Sequence, residues 1–197
     1  MRLIAGLGNP GSRYALTRHN MGFIVLDVLA GETEIPVGKR GYSSLYGVGK
    51  IGEESVILAK PQTFMNLSGV AVEKLARFFK IDRSNIIIIH DDMDIPFQEL
   101  RVKENGGDGG HKGLMSIINH LGGSDFVRVR MGIGRPDLKE MVESFVLSRF
   151  SKEEMEYVPF VALRASQAVA AVISSGTQSA MNVFNARIPK KLREEEV

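Results

Sequence analysis

The chain has no cysteine. That absence excludes disulfides, thiolate nucleophiles and sulfur-ligated zinc, and it fits a reducing compartment. Any catalysis is left to oxygen and nitrogen groups. An excess of one charge is also missing: 25 Lys and Arg stand against 23 Asp and Glu, a formal +2. The whole-molecule field therefore carries no sign of a polyanionic partner, and any basic footprint has to come from local clustering. No apolar run approaches the ~20 residues that span a bilayer. The opening Met-Arg-Leu-Ile-Ala-Gly is too short, and too soon broken by glycine, to serve as a secretory signal. A cytoplasmic chain with no membrane association is expected. No internal repeat and no long linker divides the 197 residues, which suffice for one substantial core. The reading is one domain over 1–188, followed by a short charged tail over 189–197.

The pattern along the chain alternates strand and helix. Arg2 to Leu7 is a short apolar run ending in glycines, as in a buried strand, and Met21 to Leu29 has apolar residues at helical spacing. Tyr42 to Lys50 and Ser55 to Lys60 read as an antiparallel pair turning at Gly52-Glu53-Glu54. Leu67 to Phe79 has helical period, and the wholly apolar Ile86 to Ile89 suits a central strand covered on both faces. A helix is expected from Gly113 to Leu121 and a strand from Phe126 to Ile133. Ser151 with Glu153 and Glu154 marks the start of a helix running through Ile173, and a last helix spans about Gln178 to Ala186. The fold class is α/β: a single-domain, three-layer fold with a twisted mixed sheet flanked by helices.

Gly6, Gly8 and Gly11 satisfy G-x-G-x-x-G after a strand, the form of a dinucleotide-binding fingerprint. The context is wrong, because Asn9-Pro10-Gly11-Ser12 is a turn sequence and helical pattern resumes only near Asn20. A structural turn fits better, and no cofactor is expected. Polar groups follow the apolar strands in three loops: Asn9 to Asn20, Phe64 to Ser68, and His90 to Asp94. Ligands in open α/β sheets bind beyond the carboxyl ends of parallel strands, so these loops can converge on one cleft. There a histidine is the natural general base, and a carboxylate can hold its tautomer; His19 and Asp91 supply such a pair. His90 with Asp91, Asp92 and Asp94 offers metal-ligand chemistry as a rival, without diagnostic spacing, and no metal is expected. Arg101, Lys103, Lys112, Arg128, Arg130 and Arg135 could form a phosphate-neutralising patch, with Arg128 and Arg130 on one face of their strand.

Several strings, taken in order, resemble the bacterial peptidyl-tRNA hydrolase family. They are Gly6 to Gly11 with Tyr14, Thr17-Arg18-His19-Asn20 and Gly22; Lys60 to Gly69; His90 to Pro96; Gly109 to Leu114; Arg128 to Gly134; Phe145 to Phe150; and Met181 to Asn185. The resemblance spans nearly the whole chain. It implies an esterase that hydrolyses the bond between peptide and tRNA in N-blocked peptidyl-tRNA, acting as a monomer without cofactor. It implies His19 as the base that activates water and Asp91 as its orienting carboxylate. Asn66 is then a binder of peptide main chain, and Asn9 a discriminator of N-blocked substrate. Tyr14, Phe64 and Met65 become a cleft wall, and Arg101, Lys103 and Arg130 become contacts to tRNA backbone, with Arg128 competing for the last match. The chain departs from the family at Lys112, where asparagine is usual; lysine donates but cannot accept, so water positioning there differs, and its ammonium is free to meet a phosphate or to pair with Asp91. A non-catalytic RNA-binding relative of the same fold and a metal-dependent hydrolase are the rival readings.

Overall fold

The computed structural model describes residues 1–136 and 138–186; the expected tail from 189 lies outside them. The described residues form a mixed seven-stranded sheet with helices on both faces. In chain order the elements are β1 (Arg2–Gly6), α1 (Met21–Glu32), β2 (Lys39–Gly41), β3 (Ser44–Ile51), β4 (Glu54–Pro61), α2 (Ser68–Phe79), β5 (Ile86–Asp92), β6 (Leu100–Glu104), α3 (Lys112–Leu121), β7 (Val127–Gly132), α4 (Val142–Val146), α5 (Lys152–Ser175) and α6 (Thr177–Phe184). The strand order is β2-β3-β4-β1-β5-β7-β6. The inner strands β4, β1, β5 and β7 are parallel, while β2, β3 and β6 join antiparallel at the two sides.

The isoleucine run of β5 shows why a continuous apolar string belongs at the centre. Ile87 and Ile89 point into one core with Ile4, Leu58 and Val129, beneath α1 and α5, whereas Ile86 and Ile88 point into a second core with Leu3, Ala5 and Ile57, beneath α2 and α3. Alternation along a strand delivers successive side chains to opposite faces, so a strand covered on both has no polar position to spare. The 24 residues of α5 are long and apolar enough in composition to cross a membrane. Their apolar stripe is spent otherwise: Val158, Val161, Ala162, Ala165, Ala168, Val169 and Val172 are buried in the first core. Its start lies at Ser151, as expected, and takes the form of a capping box: the Ser151 side chain accepts from the Glu154 amide while the Glu154 carboxylate accepts from Ser151 N.

Two placements differ from the sequence reading. β5 continues through Asp92, so His90 and Asp91 belong to the strand rather than to a loop after Ile89. Arg101 and Lys103 lie on an edge strand, β6, which the charged residues of its exposed face disguise as loop sequence. The glycine motif has a packing role. A Cβ on Gly6 would collide with the Gly22 backbone, a Cβ on Gly22 with backbone atoms of Leu7 and Ile89, and a Cβ on Gly8 with the Phe23 ring. Short 3-10 turns over Ser12–Tyr14 and Arg18–Asn20 stand where a dinucleotide site would begin its helix. The absent side chains let the start of α1 lie directly on β1 and β5, and His19 lies two residues before that start.

Candidate active site

β1 and β5 run parallel, pairing Gly6 with Ile89, and their carboxyl ends open into a cavity of about 860 Å³. Asn9, Tyr14, His19, Phe64, Met65, Asn66, Asp91, Lys103, Lys112 and Arg130 all line it. Thus the loops after β1 and β4 meet the end of β5, as the sequence reading expected. Arg101 does not reach the cavity. Its guanidinium instead pairs with Glu99 at 3.0 Å and donates to the Leu100 carbonyl.

Asp91, 2 % exposed, is the hub. His19 Nδ1 stands 2.9 and 3.0 Å from its two carboxylate oxygens, and His111 Nε2 stands 3.1 Å from Oδ1. Protonation states follow from the partners. His111 caps α3, its Nδ1 accepting from Gly113 N at 3.1 Å and Leu114 N at 3.3 Å, so its proton is on Nε2 and is donated to Asp91. Burial alone would raise the Asp91 carboxyl, but the attraction of both imidazoles and the hydrogen bonds from His111 and His19 hold it well below the usual carboxylate range. As a carboxylate it can only accept, so His19 donates through Nδ1 and keeps the Nε2 lone pair free for a proton.

The three groups His19, Asp91 and His111 present ligand atoms within 4.8 Å of one another. The donor set fits a metal poorly: a neutral His111 binding through Nε2 would carry its proton on Nδ1 and break both cap bonds to α3. The other candidate ligands are engaged elsewhere. His90 donates through Nδ1 to the Asp91 carbonyl at 2.7 Å, Asp92 pairs with Arg130 at 2.8 Å, and Asp94 pairs with Arg135. Burial, then the nearby His111, pushes the His90 imidazole well below its ordinary range, and it stays neutral.

Asn9 is fixed from both ends. Its Oδ1 accepts from Met65 N at 2.8 Å, while the Asn20 amide bonds its backbone N–H at 2.8 Å and its carbonyl at 2.9 Å. With the oxygen engaged, Asn9 has its Nδ2 donor to offer the cavity. Asn66 is exposed on a 3-10 turn over Met65–Leu67, beside exposed Phe64 and buried Met65. Lys112 does not pair with Asp91; its ammonium lies 3.4 Å from Glu143, which belongs to α4 and also lines the cavity.

The cations form a more orderly pattern than the sequence suggested. Strand register sets Arg101 opposite Arg130 and Lys103 opposite Arg128, so all four side chains share one sheet face as a two-by-two block. Like charges directly opposite destabilise a sheet, which makes the block a feature to explain. Arg128 is buried, donating to the Gly106 and Gly107 carbonyls and so anchoring the glycine loop. Lys103 is exposed and has no ion-pair partner among the described residues. Sequence reasoning assigned no role to His111, Asn20 or Arg128's loop contacts. The signal for His111 was its place before a helix start; nothing in the sequence shows that this cap reaches Asp91.

The model of the peptidyl-tRNA hydrolase family matches residues 3–194. The peptidyl-tRNA hydrolase of Citrifermentans bemidjiense is 50 % identical over 186 residues, covering 94 % of this chain and 98 % of its own. That of Clostridium botulinum is 46 % identical over 185 residues, covering 94 % and 97 %. The crystal structure of peptidyl-tRNA hydrolase from Acinetobacter baumannii superposes with a TM-score of 0.89 at 38 % identity, covering 94 % of this chain and 95 % of that one. Sequence and fold agree: this chain belongs to the peptidyl-tRNA hydrolase family.

Proposed function

We propose that this protein hydrolyses the ester between peptide and tRNA in N-blocked peptidyl-tRNA, and that it does so in the cytoplasm, by water activated at His19 and without a covalent intermediate. The carrying observation is the His19, Asp91 and His111 array, in which two donors keep one carboxylate ionised and leave His19 Nε2 as a bare base in the cavity. His19 Nε2 takes a proton from water; the resulting hydroxide attacks the ester carbonyl carbon; the tetrahedral intermediate collapses by breaking the bond to the ribose oxygen. His19 returns its proton to that oxygen. The ribose hydroxyl is a far better leaving group than an amine, so base catalysis with oxyanion stabilisation suffices.

The surrounding groups support this substrate. Asn9, its oxygen engaged by the Met65 amide, offers its Nδ2 donor, which suits the carbonyl of a peptide or acyl-blocked amine better than a free ammonium, itself a donor only. Asn66 can bond peptide main chain, with Tyr14, Phe64 and Met65 as the apolar wall. Lys103 and Arg130, from the cationic block, meet the phosphates of the acceptor end, and Lys112 adds an exposed charge at the cavity edge. This assigns the Arg128 position to holding the loop and the Arg130 position to substrate. The test is release of tRNA from an N-acetylated aminoacyl-tRNA, with the unblocked form as control. Cleavage of the blocked substrate alone, abolished in His19→Ala, is the expected result; intact substrate despite tight tRNA binding would replace this reading with a non-catalytic RNA-binding one.

A further inference from the structure

The residue before the base is an arginine that no part of the proposed chemistry uses. Arg18 is 8 % exposed, an expensive place for a charge unless its surroundings hold it in position. Its Nη2 donates to Glu154 at 2.8 Å, and its guanidinium carbon lies 4.6 Å from the Phe145 ring centroid and 4.9 Å from that of Phe150. Nε and Nη1 have no hydrogen-bond partner among the described residues, so the aromatic rings supply much of the hold. The backbone joins in: Arg18 N donates to Ser148 O at 3.0 Å, and Thr17 forms a bridge with Arg149.

Phe145, Ser148, Phe150 and Glu154, the partners of Arg18 across the fold, belong to one stretch of chain. Residues 142–150 include Val142, Glu143, Val146 and Leu147, which form a wall of the cavity. Glu154 lies in the first turn of α5, where the same oxygen that meets Arg18 also accepts from Ser151 N at 2.7 Å. One guanidinium thus ties the cavity wall and the start of α5 to the short turn that presents His19. α4 has five residues, too few to be stable without such tertiary support.

We propose that Arg18 is a positioning residue for the reaction: it clamps the 142–150 wall onto the His19 turn, so that the wall is in place before substrate arrives. The inference rests on the hydrolase reading for its kinetic consequence and on the clamp alone for its structural one. A prepared wall lowers the ordering cost of binding without taking part in proton transfer. Its loss therefore falls on KM more than on kcat and does not move the pH profile, which belongs to the base.

The experiment compares Arg18→Lys, which keeps the charge but loses the planar fork and its stacking, with Phe145→Leu, which keeps the ion pair to Glu154. Kinetics use N-acetylated aminoacyl-tRNA well below each variant's melting temperature, and amide exchange is followed over 142–150. Each single variant is expected to raise KM about tenfold with kcat within about threefold and an unmoved pH profile. The double variant should be no worse than Arg18→Lys alone, and exchange should accelerate over 142–150 but not in β5. Unchanged KM, a kcat loss with a shifted pH profile, or fully additive effects would each overturn the proposal. If the wild-type protein leaves the substrate intact, the hydrolase reading fails by itself, and the exchange measurement still decides the clamp: unchanged exchange over 142–150 in Arg18→Lys refutes it.

Discussion

The two sides of the cavity are built on opposite principles. On the base side, His19, Asp91, His111 and Asn9 are all largely buried, and their hydrogen bonds leave one lone pair and one donor for the substrate. On the cation side, Lys103, Arg128 and Arg130 line the cavity from one face of β6 and β7, with Arg101 beside them outside it, and like charges stand directly opposite one another. A group that must hold its geometry to a fraction of an ångström needs fixed partners in a water-poor setting. A polyanion is captured by field rather than fit, and the field requires accumulating like charge despite its cost.

Removing the base should have the largest effect. His19→Ala is expected to lower kcat by about 10³-fold or more while tRNA affinity, measured by competition, changes little. Retained turnover would dissolve the contrast, because the buried side would then be only structural. Asp91→Asn comes next, at about 10²- to 10³-fold, since an amide can donate to His19 Nδ1 and stabilise the wrong tautomer. The same variant has a stability signature. The Asp91 carboxyl is held below its ordinary range in the folded protein, so the unfolded chain takes up that proton first. Its stabilisation is fully present above about pH 5 and drains away as pH falls through about 4 and lower. Urea midpoints between pH 3 and 7 should therefore fall less steeply in Asp91→Asn than in the wild-type protein.

On the cation side the effects should be smaller and of another kind. Lys103→Ala and Arg130→Ala are each expected to weaken tRNA binding by about tenfold and to reduce the slope of log affinity against log salt by about 1, with kcat nearly unchanged. A loss in kcat without a change in slope would move these residues to the chemical side. Arg101→Ala, being outside the cavity, should have less effect than either. Smallest of all is the Lys112 and Glu143 pair, exposed on both sides and 3.4 Å apart. Lys112→Asn should alter stability by less than about 0.5 kcal/mol in urea titration, so any change in turnover would report on substrate contact rather than folding.

The amino-acid sequence by itself determined the layered α/β fold, because apolar periodicity states which faces of β5 and α5 are covered before any partner is known. It also placed His19, Asn9 and Asp91 after the first and central strands and Asn66 in a loop before a helix, from which a cleft could form. It could not place β6, whose Arg101 and Lys103 hide a strand that only pairing with β7 reveals. Nor could it separate Arg128 from Arg130, which are alike in type and face and differ only in whether glycine-loop carbonyls or a carboxylate lie within reach. Only the tertiary structure decided that a helix cap, His111, is the second donor to Asp91, and that Arg18 reaches 136 residues along the chain to Glu154. Periodicity is a property of neighbouring residues and can be read along the chain, whereas a hydrogen bond between distant segments exists only once the sheet has brought their ends together.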